Sequence, residues 1–172
     1  MAEPDDLYTL RNLFWLGNYQ RAIQEGGTLS RLSEALRIEA KEYVYRSYIA
    51  LGQYTLVVDE IPDSASTPVA LQAVKLLARY LGGLADKEVL LATLGDWLAD
   101  EGTANNLSLQ LIASIIFLHE EKVKDALRWI RHGTSMEQLA LSVQIFLKMD
   151  RPDLASKQVA CSTPCCLPFL HP

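Results

Sequence analysis

The chain has 172 residues, which fits a single domain with enough material for a sizeable core. Hydrophobic residues make up 49% and charged residues 22%, a balance that excludes an intrinsically disordered chain. Lys+Arg 16 against Asp+Glu 21 gives a net charge of −5 with no basic stripe, which speaks against nucleic-acid binding.

The acidic start, Met1 to Asp6, reads as neither a secretory signal nor a transit peptide. Beyond it, apolar residues recur at spacings of three, four and seven, with no strand-like alternation and no Asn-Gly or Asp-Gly hairpin signal. The spacing predicts helices over 6–16, 19–26, 33–51, 54–61, 68–82, 87–100, 106–119, 122–132, 136–149 and 152–160. Gly17, Gly52 and Gly133 stand where helix C-terminal glycines belong, and Gly26-Gly27 and Gly82-Gly83 also read as helix ends. Pro62-Asp63-Ser64 breaks one helix, and Ser66-Thr67-Pro68 opens the next with proline near its first turn. Segment 107–118 is apolar nearly all round, but Ser108, Gln110 and Ser114 interrupt it. It is also shorter than the roughly 20 residues that cross a bilayer. Ser135 followed by Gln138 has the form of a capping box.

Helix 33–51 carries two apolar stripes. Leu36, Ala40, Tyr43, Val44, Ser47, Tyr48 and Leu51 form one, and Ile38, Tyr45 and Ile49 lie about opposite. Two such faces belong to an inner helix of a stack, because a lone surface helix shows one. A weak repeat runs beneath the helices. Gly17-Asn18-Tyr19-x-x-Ala22-Ile23 recurs as Gly52-Gln53-Tyr54-x-x-Val57-Val58, then as Val89-x-x-Ala92, Val123-x-x-Ala126-Leu127 and Pro152-x-x-Ala155. Its second position falls at 22, 57, 92, 126 and 155, intervals of 35, 35, 34 and 29. A period near 34 built from two helices is the tetratricopeptide signature. The predicted fold is therefore all-α, a tetratricopeptide-like solenoid of antiparallel helix pairs over residues 1–159. A divergent, disordered Cys/Pro-rich tail is expected over 160–172. Inner helices of solenoids line the surface that holds ligands, which makes Ile38, Tyr45 and Ile49 the candidate partner-binding residues. Tyr45 also reads as a core aromatic against the neighbouring repeat.

Signals of catalysis are poor. There is no phosphate-binding loop, no dinucleotide fingerprint and no H-E-x-x-H. His119, His132 and His171 are scattered, the first two near predicted helix C-termini, where a partly cationic ring suits the dipole. Asp59-Glu60, Asp100-Glu101 and Glu120-Glu121 fall at helix ends as solvated turns. Trp15, Trp97 and Trp129 occupy apolar positions and read as core filler. Cys161, Cys165, Cys166 and His171 crowd the tail, but their C-x3-C-C-x4-H spacing matches no standard zinc site. Reversible lipidation of Cys165 and Cys166 is the other use such a pair suggests. With no cysteine in the body, packing alone must hold the fold. The expectation is a chain that is not an enzyme and takes no cofactor or metal.

Several stretches together resemble a known family: Asp6 to Gln20 (DLYTLRNLFWLGNYQ), Tyr45 to Leu51 (YRSYIAL), Val57 to Ile61 (VVDEI), Leu71 to Leu81 (LQAVKLLARYL), Ala113 to His119 (ASIIFLH) and Ser135 to Ala155 (SMEQLALSVQIFLKMDRPDLA). In this order, over Asp6 to about Val159, they resemble the epsilon subunits of coatomer, the coat of COPI vesicles. The resemblance implies a tetratricopeptide-like solenoid without catalytic activity. It further implies a scaffold that binds the C-terminal region of the coatomer alpha subunit and, through it, the heteromeric coat. Such subunits serve Golgi-to-endoplasmic-reticulum and intra-Golgi transport, in the cytoplasm and peripherally on Golgi membrane and COPI vesicles. Family members continue with further helical repeats where this chain turns to Ala160-Cys161-Ser162-Thr163-Pro164 and onward. An alternative transcript or gene-model truncation is the expected cause, and the last helix pair is expected to expose an apolar face. The other reading is a generic tetratricopeptide adaptor for short acidic peptides. That use needs a Lys/Arg clamp, and Arg11, Lys41, Arg46, Lys75 and Arg79 look dispersed on helical wheels.

Overall fold

In a computed structural model, residues 5–64, 66–131 and 133–162 are described. Among them are eleven helices and no strand: α1 (Tyr8–Trp15), α2 (Tyr19–Thr28), α3 (Glu34–Ala50), α4 (Tyr54–Glu60), α5 (Val69–Leu81), α6 (Lys87–Ala99), α7 (Glu101–Ala104), α8 (Leu107–His119), α9 (Val123–Ile130), α10 (Met136–Lys148) and α11 (Pro152–Ser162). The all-α class and the ten predicted helices are as the periodicity requires. The single turn α7 was not expected; it exists because the Asp100 carboxylate accepts the Gly102 N–H at its start.

Local chemistry sets the helix starts. Ser33 caps α3 by accepting from the Leu36 N–H (3.4 Å), and Asp86 caps α6 by accepting from Glu88 (3.2 Å). The predicted capping box opens α10: Gln138 N–H donates to the Ser135 hydroxyl (3.2 Å), and Ser135 N–H donates to the Gln138 side chain (3.4 Å).

The repeat is clearest in the turns. Gly17, Gly52, Gly83, Glu121 and Asp150 have left-handed φ values of 75°, 77°, 61°, 58° and 55°. In each case the next residue donates its N–H to the carbonyl five residues back: Asn18 to Leu13, Gln53 to Tyr48, Leu84 to Arg79, Lys122 to Phe117 and Arg151 to Phe146, at 2.8–3.0 Å. This is the Schellman closure of a helix end. Four turns lead straight into the next helix, and the residue five past the left-handed one (Ala22, Val57, Ala126, Ala155) is buried. The third copy departs from the repeat. After Gly83 the chain takes a longer path before α6 begins, so Ala92 is exposed and Leu90, Leu94 and Leu98 face inward instead.

Gly26 and Gly27 lie inside α2 and do not end it. A Cβ at Gly26 would collide with the Val44 side chain, so α2 can approach α3 only because this position is bare.

The chain divides into two compact units between Leu109 and Gln110. In the first, α3 packs against α1, α2, α4 and α5, and α5 in turn meets α4 and α6. Leu7, Leu10, Ala22 and Ala40 form a buried cluster there, with Leu13, Leu29, Leu32, Leu36 and Tyr43 packed around it. In the second, Leu111, Ala126, Ile130, Leu141 and Ile145 from α8, α9 and α10 form the buried cluster. The Ser114 hydroxyl donates to the Ala126 carbonyl (3.0 Å), joining α8 to α9, and α10 packs against α9 and α11.

Candidate partner-binding surfaces

Because α3 is covered by four other helices, both of its apolar stripes are occupied by its own chain. Tyr45 is 8% exposed and Ile49 7%, while Ile38 is half-buried. Burial, reinforced by Glu60 and Tyr48, pushes the Tyr45 phenol above its ordinary pKa. Of the three candidate residues, Ile38 is the one left with accessible surface; Tyr45 and Ile49 lie in the interior.

The polar residues of α3 are also engaged. Glu42 is buried, accepts a hydrogen bond from the Ser108 hydroxyl (2.8 Å) and faces Arg46 (3.8 Å). The Arg46 guanidinium lies over the Phe14 ring at 4.9 Å, and Phe14 meets Tyr43 edge-on at 5.2 Å.

A second surface forms where the α4–α5 loop and α5 face α6. Asp63, Ser64, Gln72, Lys75, Leu76, Arg79, Ala85, Val89, Leu90, Thr93 and Trp97 line a cleft of about 380 Å³. Here the expectation of dispersed basic residues is corrected in part. Lys75 and Arg79 are one turn apart on α5 and converge on one carboxylate, Lys75 Nζ on Asp63 Oδ1 and Arg79 Nη2 on Asp63 Oδ2, each at 2.9 Å. The i,i+4 spacing puts the two on one face of α5; what a helical wheel does not show is Asp63, which reaches the pair from a loop. Arg11 is engaged elsewhere, with Asp5 (2.7 Å) and Glu39 (2.6 Å), and Arg46 with Glu42.

The Lys75 side chain is 7% exposed and also donates to the Ile61 carbonyl, whereas the Asp63 side chain is 67% exposed. The Lys75 hydrogen bond and the Arg79 charge hold the Asp63 carboxyl below its usual pKa. Around Asp63 the loop is pinned. The Ser64 hydroxyl meets those of Ser66 (2.9 Å) and Thr67 (3.0 Å), and Gln72 Nε2 donates to the carbonyls of Ser64 (3.1 Å) and Thr67 (2.9 Å). The facing wall is apolar, with Val89 60% exposed and Leu90, Thr93 and Trp97 beside it.

Trp15 departs from the expectation of core filler: like Tyr8 and Leu16 it is exposed. Trp97 is half-buried in the cleft, and Trp129 is half-buried with Arg128 over its ring (5.6 Å). In the second unit Met136, Leu147 and Val159 are exposed. His119 ends α8, as expected. Of Cys161 only the backbone, within α11, is described; His132, Cys165, Cys166 and His171 lie outside the described residues. Among the described residues no three His, Cys, Asp or Glu side chains group as metal ligands would, and no helix is long and apolar enough to cross a membrane.

The sequence profile of a family described as "Coatomer epsilon subunit" matches residues 3–163. Coatomer subunit epsilon-2 of Arabidopsis thaliana is 49% identical over 158 residues, covering 92% of this chain and 53% of the relative. Coatomer subunit epsilon-1 of Oryza sativa subsp. japonica is 48% identical over 159 residues, covering 92% of this chain and 54% of the relative. Coatomer subunit epsilon of Dictyostelium discoideum is 35% identical over 158 residues, covering 89% and 53%. The chain thus spans about half the length of the curated relatives it matches.

Proposed function

The chain belongs to the coatomer epsilon subunit family, and from that premise we propose that it is a non-enzymatic scaffold subunit of the COPI vesicle coat. In this reading it holds the C-terminal region of the coatomer alpha subunit and through it joins the heteromeric coat. Its work is Golgi-to-endoplasmic-reticulum and intra-Golgi protein transport, at the cytosolic side of Golgi membrane and COPI vesicles, with membrane reached only through the coat. The observation that carries the reading is the family match along nearly all of this chain at up to 49% identity.

The structure supports a holding role in a physical way. Helical hairpins joined by rigid Schellman turns order their helices at little conformational cost on binding, which favours affinity. The exposed Tyr8, Trp15 and Leu16 supply the aromatic and aliphatic side chains from which interface energy is typically drawn, and half-buried Ile38 offers a smaller apolar area on α3.

The test is a pull-down of the purified chain with the coatomer alpha C-terminal region, beside a family-length epsilon subunit. Co-capture by both is the expected result. Capture by the longer protein alone would mean that this chain lacks the binding surface, and capture by neither would overturn the reading.

The convergence of Lys75 and Arg79 favours a second reading, an adaptor for short acidic peptides of another partner.

A further inference from the structure

Lys75 and Asp63 are mismatched partners. The ammonium is almost wholly buried, and the carboxylate that neutralises it is two-thirds exposed. A buried charge without a counter-charge is costly, so this position must always have an acceptor. The acceptor need not be Asp63. Its carboxylate reaches inward from a loop whose backbone is fixed by Ser64, Thr67 and Gln72, so the Asp63 side chain can turn outward without unravelling the loop. Lys75 keeps the Ile61 carbonyl in either state.

The electrostatic balance at the site leaves one positive charge over. Lys75 and Arg79 carry two, and Asp63 supplies one negative. Across from them the apolar wall of Val89, Leu90 and Trp97 stands open, with Val89 60% exposed. A cleft of about 380 Å³ has room for one or two side chains and a short stretch of backbone.

We propose that this cleft docks an acidic peptide segment with an apolar anchor residue beside its carboxylate, and that Asp63 is an internal stand-in which that carboxylate displaces from Lys75 and Arg79. The incoming acid takes both cations, and the anchor packs on Val89, Leu90 and Trp97. This reading rests on the chain being a module that holds partners, and is indifferent to which coat subunit it holds. Asp63 then sets a threshold: a single weak acid gains little by replacing it, while a segment with two acids and an anchor does better.

The test is fluorescence anisotropy with the full chain and a fluorescein-labelled, C-terminally amidated peptide of two aspartates, leucine and phenylalanine. The same peptide with two lysines is the control. The acidic probe should bind at least about tenfold tighter than the basic one. Losing a charge-assisted hydrogen bond in Arg79→Gln should weaken the acidic probe about tenfold. Val89→Asp should weaken it by a similar factor. Asp63→Asn should tighten it several-fold, whereas Asp59→Asn, which removes the same charge from an exposed position outside the cleft lining, should leave it unchanged. These positions lie at the rim, and circular dichroism checks that each variant keeps its helices. No binding of the acidic probe, equal binding of both probes, or an Asp63→Asn variant that binds no tighter would overturn the proposal. Failure of the probe with capture of the coatomer alpha region intact removes the cleft alone. Loss of that capture with the probe still bound removes the coat reading alone.

Discussion

Gly17 and Gly52 in the first unit and Glu121 and Asp150 in the second make the same turn from different chemistry. All four have φ between 55° and 77° and are followed by the same long-range N–H to carbonyl bond. Glycine enters the left-handed region freely, while an L-residue with a Cβ pays about 1 kcal/mol or more there. The turn is therefore dictated by the helix ends it joins, and glycine only relieves a strain that the second unit tolerates. The repeat survives in the backbone where it has faded from the sequence.

The largest way to break this comparison lies at the small buried position five residues after each turn. Ala22→Leu and Ala126→Leu should each destabilise by about 2–3 kcal/mol through overpacking, measured by urea denaturation. Ala92→Leu should be nearly silent, because that residue is exposed. A strong effect at Ala92 would restore the third repeat copy that the structure rejects.

The turns themselves come next. Gly52→Ala should cost about 1–2 kcal/mol, and Asp150→Gly should raise stability by about 0.5–1 kcal/mol, read as shifts of the urea midpoint. Equal and negligible shifts would mean that the two kinds of turn do not differ in strain. Ser135→Ala, which removes the capping box of α10, should cost about 1 kcal/mol.

The smallest effect separates two exposed acids. A hydrogen bond from Arg151 holds the Asp153 carboxyl at a pKa of about 2, and the Lys75 hydrogen bond lowers that of Asp63. A carboxyl whose folded pKa is depressed stabilises the fold above its unfolded value near 3.9 and loses that contribution as pH falls through the folded value. For Asp153 the window is about pH 4 to 2, and Asp153→Asn should flatten the stability profile there. An unchanged profile would mean that the pair has no counterpart in solution.

What could be read from the residues, and what could not, follows the range of the interactions concerned. The α10 capping box and most ends of the ten predicted helices are legible because caps, turns and periodicity act within a few residues, the end of α2 excepted. The role of Gly26 was not, since its reason is Val44 on another helix. Tyr45 and Ile49 were correctly placed on a second apolar face, but whether that face meets a partner or its own chain depends on which helices pack there. The Lys75–Asp63–Arg79 cluster stayed hidden because a loop supplies its centre. The single turn α7 is too short to show periodicity.

Hydrogen exchange on the full chain, alone and with the coatomer alpha C-terminal region, tests most directly whether this is a partner-holding module of the COPI coat. The account predicts slowed exchange in α1 and α3 on addition of that region, over the segments carrying Tyr8, Trp15, Leu16 and Ile38. Identical exchange with and without it, at concentrations where a family-length epsilon subunit is protected, would contradict the account.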